Sequence, residues 1–341
     1  MKKDIVIFSS KIDTLLITTI GLTSTLFALV VAHAFKFNEV TPLMWLLLVV
    51  GIDVSHVYST LYRTYFSSTV SPALKPFLTL IPIICFCVAF FAALRSTSFF
   101  WTVLVYVAIF HFSRQQIGFL RLFTDVQGRK TKLHRLNEIS INAWTLGSIL
   151  IWHLQGPKTF QWFVADDFMF MQSLKVTEPF IKYFILLSFV VVMAINLRAF
   201  AQKQVSKQVV LVLLSTFVSW YVPIVILNSD FVFTFANVVS HGIPYLVLVY
   251  SREVKQNTSF NRLHIFISVL IFFAFVEEAL WDGFIWRDHA QFFESFYFLP
   301  QLADGSFVKA FFLAVLIAPQ LIHYVLDGFI WKKKYQPSMV N

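Results

Sequence analysis

Long apolar runs alternate with short polar segments along nearly the whole chain. A helix needs roughly 20 mostly apolar residues to cross a bilayer. Runs of about that length predict an all-α, polytopic integral membrane bundle with ten transmembrane helices, at about 14–34, 42–62, 74–94, 98–121, 138–155, 179–200, 208–227, 231–250, 263–286 and 307–331. Because the segments between them are too short for a soluble domain, residues 1–341 are predicted to form a single transmembrane domain.

The composition supports a membrane protein and excludes several soluble classes. Of 341 residues, 58% are hydrophobic and only 13% are charged, and the mean hydropathy is +0.73. A soluble domain carries about a quarter charged residues. These values exclude a soluble enzyme, a disulfide scaffold and a nucleic-acid-binding domain, despite the net charge of +9. The partners we expect are membrane lipids and an apolar small-molecule substrate, with no nucleic acid.

Basic residues are distributed unevenly between alternate loops of the predicted topology. One side receives 19 Lys and Arg residues and the other receives 7, while Arg114 lies within a helix. Since basic loops stay in the cytoplasm, we predict cytoplasmic termini and a location in the bacterial inner (cytoplasmic) membrane. The first 34 residues also resemble a signal peptide ending in Ala-His-Ala. Their long apolar run and early acidic residues favour a retained helix.

Four histidines occupy one layer of the predicted membrane region. His56, His111, His241 and His323 lie on four helices that run in the same direction. Counted from the basic cytoplasmic edge, they lie about 10 to 16 Å deep, at 1.5 Å per residue. Ionisable residues within spans are costly and mark functional sites. Because imidazoles bind Fe, Zn, Cu and Mn, we predict that these four histidines bind a metal ion, with iron as the candidate.

Each of these histidines has a polar neighbour three or four residues away, on the same side of its helix. The neighbours that we predict to be catalytic are Asp53, Arg114, Asn237 and Asp327. In metal sites, such groups share the site or orient a ligand. The alternative is that Asp53 and Asp327 pair with arginines, with Arg63 and Arg114 as the candidates.

A second set of acidic residues follows near the end of the ninth predicted helix. It consists of Glu277, Glu278 and Asp282. Two adjacent glutamates cannot both face one site, so contact with interfacial water or an arginine is the main interpretation. A path for protons or cations is the alternative.

Two short segments around the last histidines carry a family resemblance. They read Asn237-x-x-x-His241-Gly-Ile-Pro-Tyr245 and His323-Tyr-x-x-Asp327-Gly-Phe-Ile-Trp331. They resemble segments of uncharacterised bacterial polytopic proteins with several histidines, and are distantly similar to membrane carotene-cleaving oxygenases. The resemblance implies a carotenoid substrate, but the oxygenases place Gly-x-x-Asp beside the histidine, where this chain has Gly-Ile-Pro. No catalytic role is carried over from it.

Three functions remain open from the sequence. The first is a membrane-embedded metal-dependent oxidoreductase or oxygenase, with non-haem iron, acting on a lipid or isoprenoid. The second is a proton-coupled transporter that uses the layer of histidines and aspartates as a relay. The third is a membrane protein in which two histidines bind haem.

Overall fold

The computed structural model describes residues 9–36, 38–67, 70–165, 167–254 and 260–332. Both termini, which we predict to be cytoplasmic, lie outside these ranges. Within them, all regular secondary structure is helical. The predicted all-α class is therefore confirmed.

Ten long helices account for the ten predicted segments. Helices α1 to α10 occupy Ile20–Phe35, Pro42–Arg63, Lys75–Arg95, Thr97–Leu122, Lys132–Gln155, Gln172–Ala201, Lys207–Ile226, Asp230–Val254, Arg262–Trp286 and Phe307–Ile330. Eight of these described helices, all except α1 and α5, are long and apolar enough to cross a membrane. The protein is thus an integral membrane protein by the length and composition of its helices.

The two remaining helices explain why fewer than ten candidate spans are found. Helix α1 forms a pair with Lys11–Thr18, bent by 64°, and counting this pair as one span gives up to nine. Helix α5 is long enough at 24 residues, but polar residues, Asn137 and Glu138 among them, reduce its hydropathy. The prediction of ten spans is supported for eight or nine of them.

Hydroxyl side chains mark where several helices begin. A Ser or Thr side chain just before the first turn accepts a hydrogen bond from a backbone N–H of that turn, at 3.1 to 3.4 Å, in α2, α5, α7 and α10. The capping residues are Thr41, Thr131, Ser206 and Ser306. Such caps satisfy donors that have no partner within the helix, so the polar residues between apolar runs fix the helix boundaries.

The chain divides into two compact units. The first unit comprises Met1–Val40 and Ala108–Pro244, and includes α1, α5, α6 and α7. A Cβ placed at Gly21 would lie 2.8 Å from Ser215 Oγ, so glycine allows α1 to approach α7 closely. Between α5 and α6, the amides of Asn137 and Asn196 exchange two hydrogen bonds of 2.9 and 2.8 Å.

The second unit comprises Thr41–Val107 and Tyr245–Asn341, and includes α2, α3, α9 and α10. Helix α3 packs along α10, while α2 packs against both α9 and α10. Small and branched residues make the contact between α2 and α9, where Ala274 is buried with Val50 and Val54. This packing turns one face of α2, with its histidine, toward the interior of the unit.

Candidate functional site

Two histidines of the second unit are buried and in contact with each other. His56 on α2 and His323 on α10 are each 1% exposed. Their rings meet edge to face, with centroids 4.9 Å apart. Immediately before His56, residues Leu46–Val54 are wound as a π-helix. π-Helical turns are rare and occur frequently at functional sites.

A hydroxyl network holds the second of these histidines. Thr60, one turn after His56, lies with Oγ1 at 2.7 Å from His323 Nδ1 and 3.1 Å from the Tyr245 hydroxyl. Tyr245 is buried, and its ring lies edge to face against both imidazoles, with centroids 5.8 Å from His56 and 4.9 Å from His323. Because Nδ1 of His323 contacts the hydroxyl, the opposite ring nitrogen, Nε2, is the one presented to a ligand.

The two predicted aspartates of this unit lie beside the histidine pair. Asp53 Oδ1 is 3.7 Å from His56 Nδ1. Asp327 accepts a hydrogen bond from the Trp331 indole and is also hydrogen-bonded to Tyr245. Asp53 therefore neighbours His56 directly, whereas Asp327 reaches His323 through Tyr245 and Thr60.

Arg63, considered above as an ion-pair partner for these aspartates, has a different partner. Its guanidinium forms an ion pair with Glu253 and donates a 2.9 Å hydrogen bond to the Ile330 carbonyl. It also lies over the Trp331 ring, 4.5 Å from the centroid. The ion pair of Arg63 with Glu253 thus ties α2 to α8 at the end of the unit, while the charge of Arg63 also acts on Asp327.

The first unit contains a second histidine pair. His111 on α4 and His241 on α8 are buried, and their rings meet edge to face with centroids 5.2 Å apart. Phe112 stacks on His241 with centroids 3.5 Å apart and planes at 8°. Gln115 donates a 3.3 Å hydrogen bond to the backbone carbonyl of His241. The ring contacts with His111 and Phe112 orient the His241 imidazole, while Gln115 holds its backbone.

The other two predicted catalytic residues differ in their placement. Arg114 is exposed, although it lies three residues after the buried His111. Around the helix, the residues three and four positions after His111 lie on either side of it. The buried side of α4 includes Gln115, so Arg114 lies on the exposed side. Asn237 is half-buried, one turn before His241.

All four predicted histidines are buried, and they form one pair within each unit. In the second unit, His56 and His323 are the pair that could hold a metal ion, because a carboxylate and a hydroxyl lie beside their ring nitrogens. In the first unit, His111 and His241 form the other pair.

Peripheral histidines have other surroundings. His134 lies with Nε2 3.1 Å from a Glu138 carboxylate oxygen. His289, in the loop after α9, stacks on Trp45 with ring centroids 3.6 Å apart. Burial lowers the pKa of His289 below 6.5, although nearby Asp282 and Asp288 oppose the shift. Neither histidine belongs to the two buried histidine pairs.

Three residues that position the histidines are absent from the sequence predictions. They are Thr60, Phe112 and Tyr245. Thr60 and Tyr245 follow His56 and His241 by four residues, so helical spacing alone places each near a histidine. Phe112 follows His111 directly, and no spacing rule indicates its stacking on His241.

The sequence matches no family model, no curated protein and no solved structure.

Proposed function

We propose that the protein is a membrane-embedded, metal-dependent oxidoreductase that acts on an apolar lipid or isoprenoid substrate. The observation that carries this proposal is the buried pair of His56 and His323, whose rings meet with centroids 4.9 Å apart, with the Asp53 carboxylate 3.7 Å from His56. Neutral imidazoles are suitable ligands for iron, copper and zinc. Two such ligands leave coordination positions open for a substrate.

The surrounding residues support a metal site because they orient its ligands. Metal-binding histidines usually contact a carboxylate, carbonyl or hydroxyl through the second ring nitrogen. Thr60 has this relation to His323, at 2.7 Å from Nδ1. Asp53 lies near Nδ1 of His56, at 3.7 Å. The role we assign to Asp53 and Asp327 is to position these histidines and accept protons beside them.

The chemistry of the surroundings favours an apolar substrate. The ring of Tyr245 lies edge to face against both His56 and His323, and the Trp331 ring lies edge to face against Tyr245. A site buried among aromatic rings on membrane-spanning helices is reached most readily from the lipid phase. Iron is the metal that we propose, since open positions beside imidazole ligands suit non-haem Fe(II) and oxygen chemistry.

A proton-coupled transporter is the second candidate. It is favoured by the hydrogen-bonded series from Asp327 through Tyr245 and Thr60 to His323, which joins titratable groups in the second unit. Haem bound by two histidines receives less support. The rings of each pair contact each other edge to face, so a porphyrin would have to separate them.

Elemental analysis and the optical spectrum of detergent-purified protein separate these functions. A bound transition metal, near one per chain and without a Soret band, is the result expected for the oxidoreductase. A Soret band would select the haem protein instead. Purified protein that binds no metal after incubation with Fe(II), Zn(II) or Cu(II) would overturn the proposal and leave the transporter.

A further inference from the structure

A second group of ionisable residues lies in the second unit, apart from the proposed metal ligands. Glu277, Glu278 and Asp282 on α9 are 4%, 9% and 1% exposed. Buried carboxylates are rare unless they are paired, because an isolated charge loses its hydration. From the sequence, the partners expected for these carboxylates are interfacial water or an arginine. The contacts that each carboxylate makes in the structure indicate its role.

Two of the three carboxylates have donors. Glu277 accepts hydrogen bonds from the Tyr58 hydroxyl at 2.5 Å and from the Trp281 indole at 3.3 Å. Asp282 accepts three, all from residues that follow it in the chain: the backbone N–H groups of Asp288 and His289, at 2.9 and 3.0 Å, and the Tyr297 hydroxyl at 2.8 Å. Hydrogen bonds donated to a carboxylate favour its charged form.

Glu278 differs from both neighbours. Among the residues that the structure describes, its carboxyl has no hydrogen bond and no ion pair, although it is nine-tenths buried. The charged groups that act on it are Glu277, Asp53 and Asp282, all of them acidic. A fourth negative charge in this position would be both desolvated and repelled. Binding a proton removes both penalties.

We propose that Glu278 is a proton-binding site, a carboxyl that holds a proton at neutral pH and exchanges it with water at the end of α9. Asp282, one turn further along the helix, connects the site to the loop through His289, whose side chain is 21% exposed. Among the described residues, these carboxylates do not form a group of three that could share a metal ion. The proposal does not depend on metal at the histidines.

Infrared difference spectroscopy of metal-free protein tests this proposal directly. A protonated carboxyl absorbs above the amide bands, and its band moves in D₂O. We expect such a band at neutral pH in the wild type. In Glu278→Gln, we expect the band to lose the intensity contributed by one carboxyl group. Glu294→Gln, which changes a carboxylate after α9, is the matched control and should leave the band intact.

Two results would overturn the proposal. One is the absence of any protonated carboxyl band from the wild type at neutral pH, and the other is a band unchanged in Glu278→Gln. If Glu278→Gln does not fold, Glu278→Asp retains a carboxyl in a different position. It should shift the band frequency, and an unshifted band would assign the proton elsewhere.

Discussion

Thr60 offers the sharpest test of how the histidines are held. Its hydroxyl lies 2.7 Å from His323 Nδ1 and 3.1 Å from the Tyr245 hydroxyl, and the residue is 4% exposed. Thr60→Val keeps the size and branching of the side chain but removes the hydroxyl. The change therefore deletes two contacts without opening a cavity.

The expected cost follows from those two contacts. Removing one partner of a buried hydrogen bond costs about 1–3 kcal/mol. Since Tyr245 keeps its hydrogen bond to Asp327, we expect Thr60→Val to lower the free energy of unfolding by about 2 kcal/mol. Loss of a group that orients a metal ligand typically weakens metal binding about 10–100-fold, and we expect a loss in this range.

Metal competition titrations and thermal unfolding in detergent measure both effects. Thr60→Ser, which keeps the hydroxyl, is the control and should bind metal within about threefold of the wild type, a difference of under 1 kcal/mol. Equal metal affinity for Thr60→Val and Thr60→Ser would refute the argument that the hydroxyl orients His323. A loss of stability with unchanged metal affinity would show that Thr60 supports packing alone.

Three further predictions concern other parts of the chain. In a double-mutant cycle of Asn137→Ala and Asn196→Ala, measured by unfolding, we expect a coupling energy of about 0.6–1.7 kcal/mol, as for other hydrogen bonds between membrane helices; additive effects would contradict it. Because burial holds the pKa of His289 below 6.5, the unfolded state takes up a proton first as pH falls through 6.5, and stability decreases. His289→Phe keeps a ring for stacking and should weaken that pH dependence; an identical profile would contradict it. Reporter fusions after residues 130, 165, 205 and 290 should lie inside, outside, inside and outside, and a same-side result for the first two would remove α5 as a span.

The helices could be predicted from the sequence because a run of apolar residues is a local signal. Each of the ten predicted segments overlaps an observed helix. The bend before α1 and the π-helical turn over Leu46–Val54 were not predicted. Both depend on how the backbone packs against other helices, which hydropathy does not report. The polarity of α5 is visible in the sequence, but a search for apolar runs passes over it.

The depth of the site residues in the membrane could be predicted from the sequence, but the direction in which each helix face turns could not. Counting residues from the basic edge predicts that the histidines lie in one layer, and within each unit two of them are in contact. Spacing alone also assigned Arg114 to the face of His111, whereas Arg114 is exposed. Which side of a helix turns inward is decided by packing partners distant in sequence, such as Phe112 against His241.

X-ray absorption at the edge of the bound metal tests the central claim most directly. For wild-type protein loaded with metal, we predict scattering from about two imidazole ligands at 2.0–2.1 Å, the usual distance between zinc and a histidine nitrogen. His56→Ala and His323→Ala should each lower the number of imidazole ligands or abolish binding, while His134→Ala should change neither. A spectrum without imidazole scattering, or one unchanged by both substitutions, would contradict a metal site at these histidines.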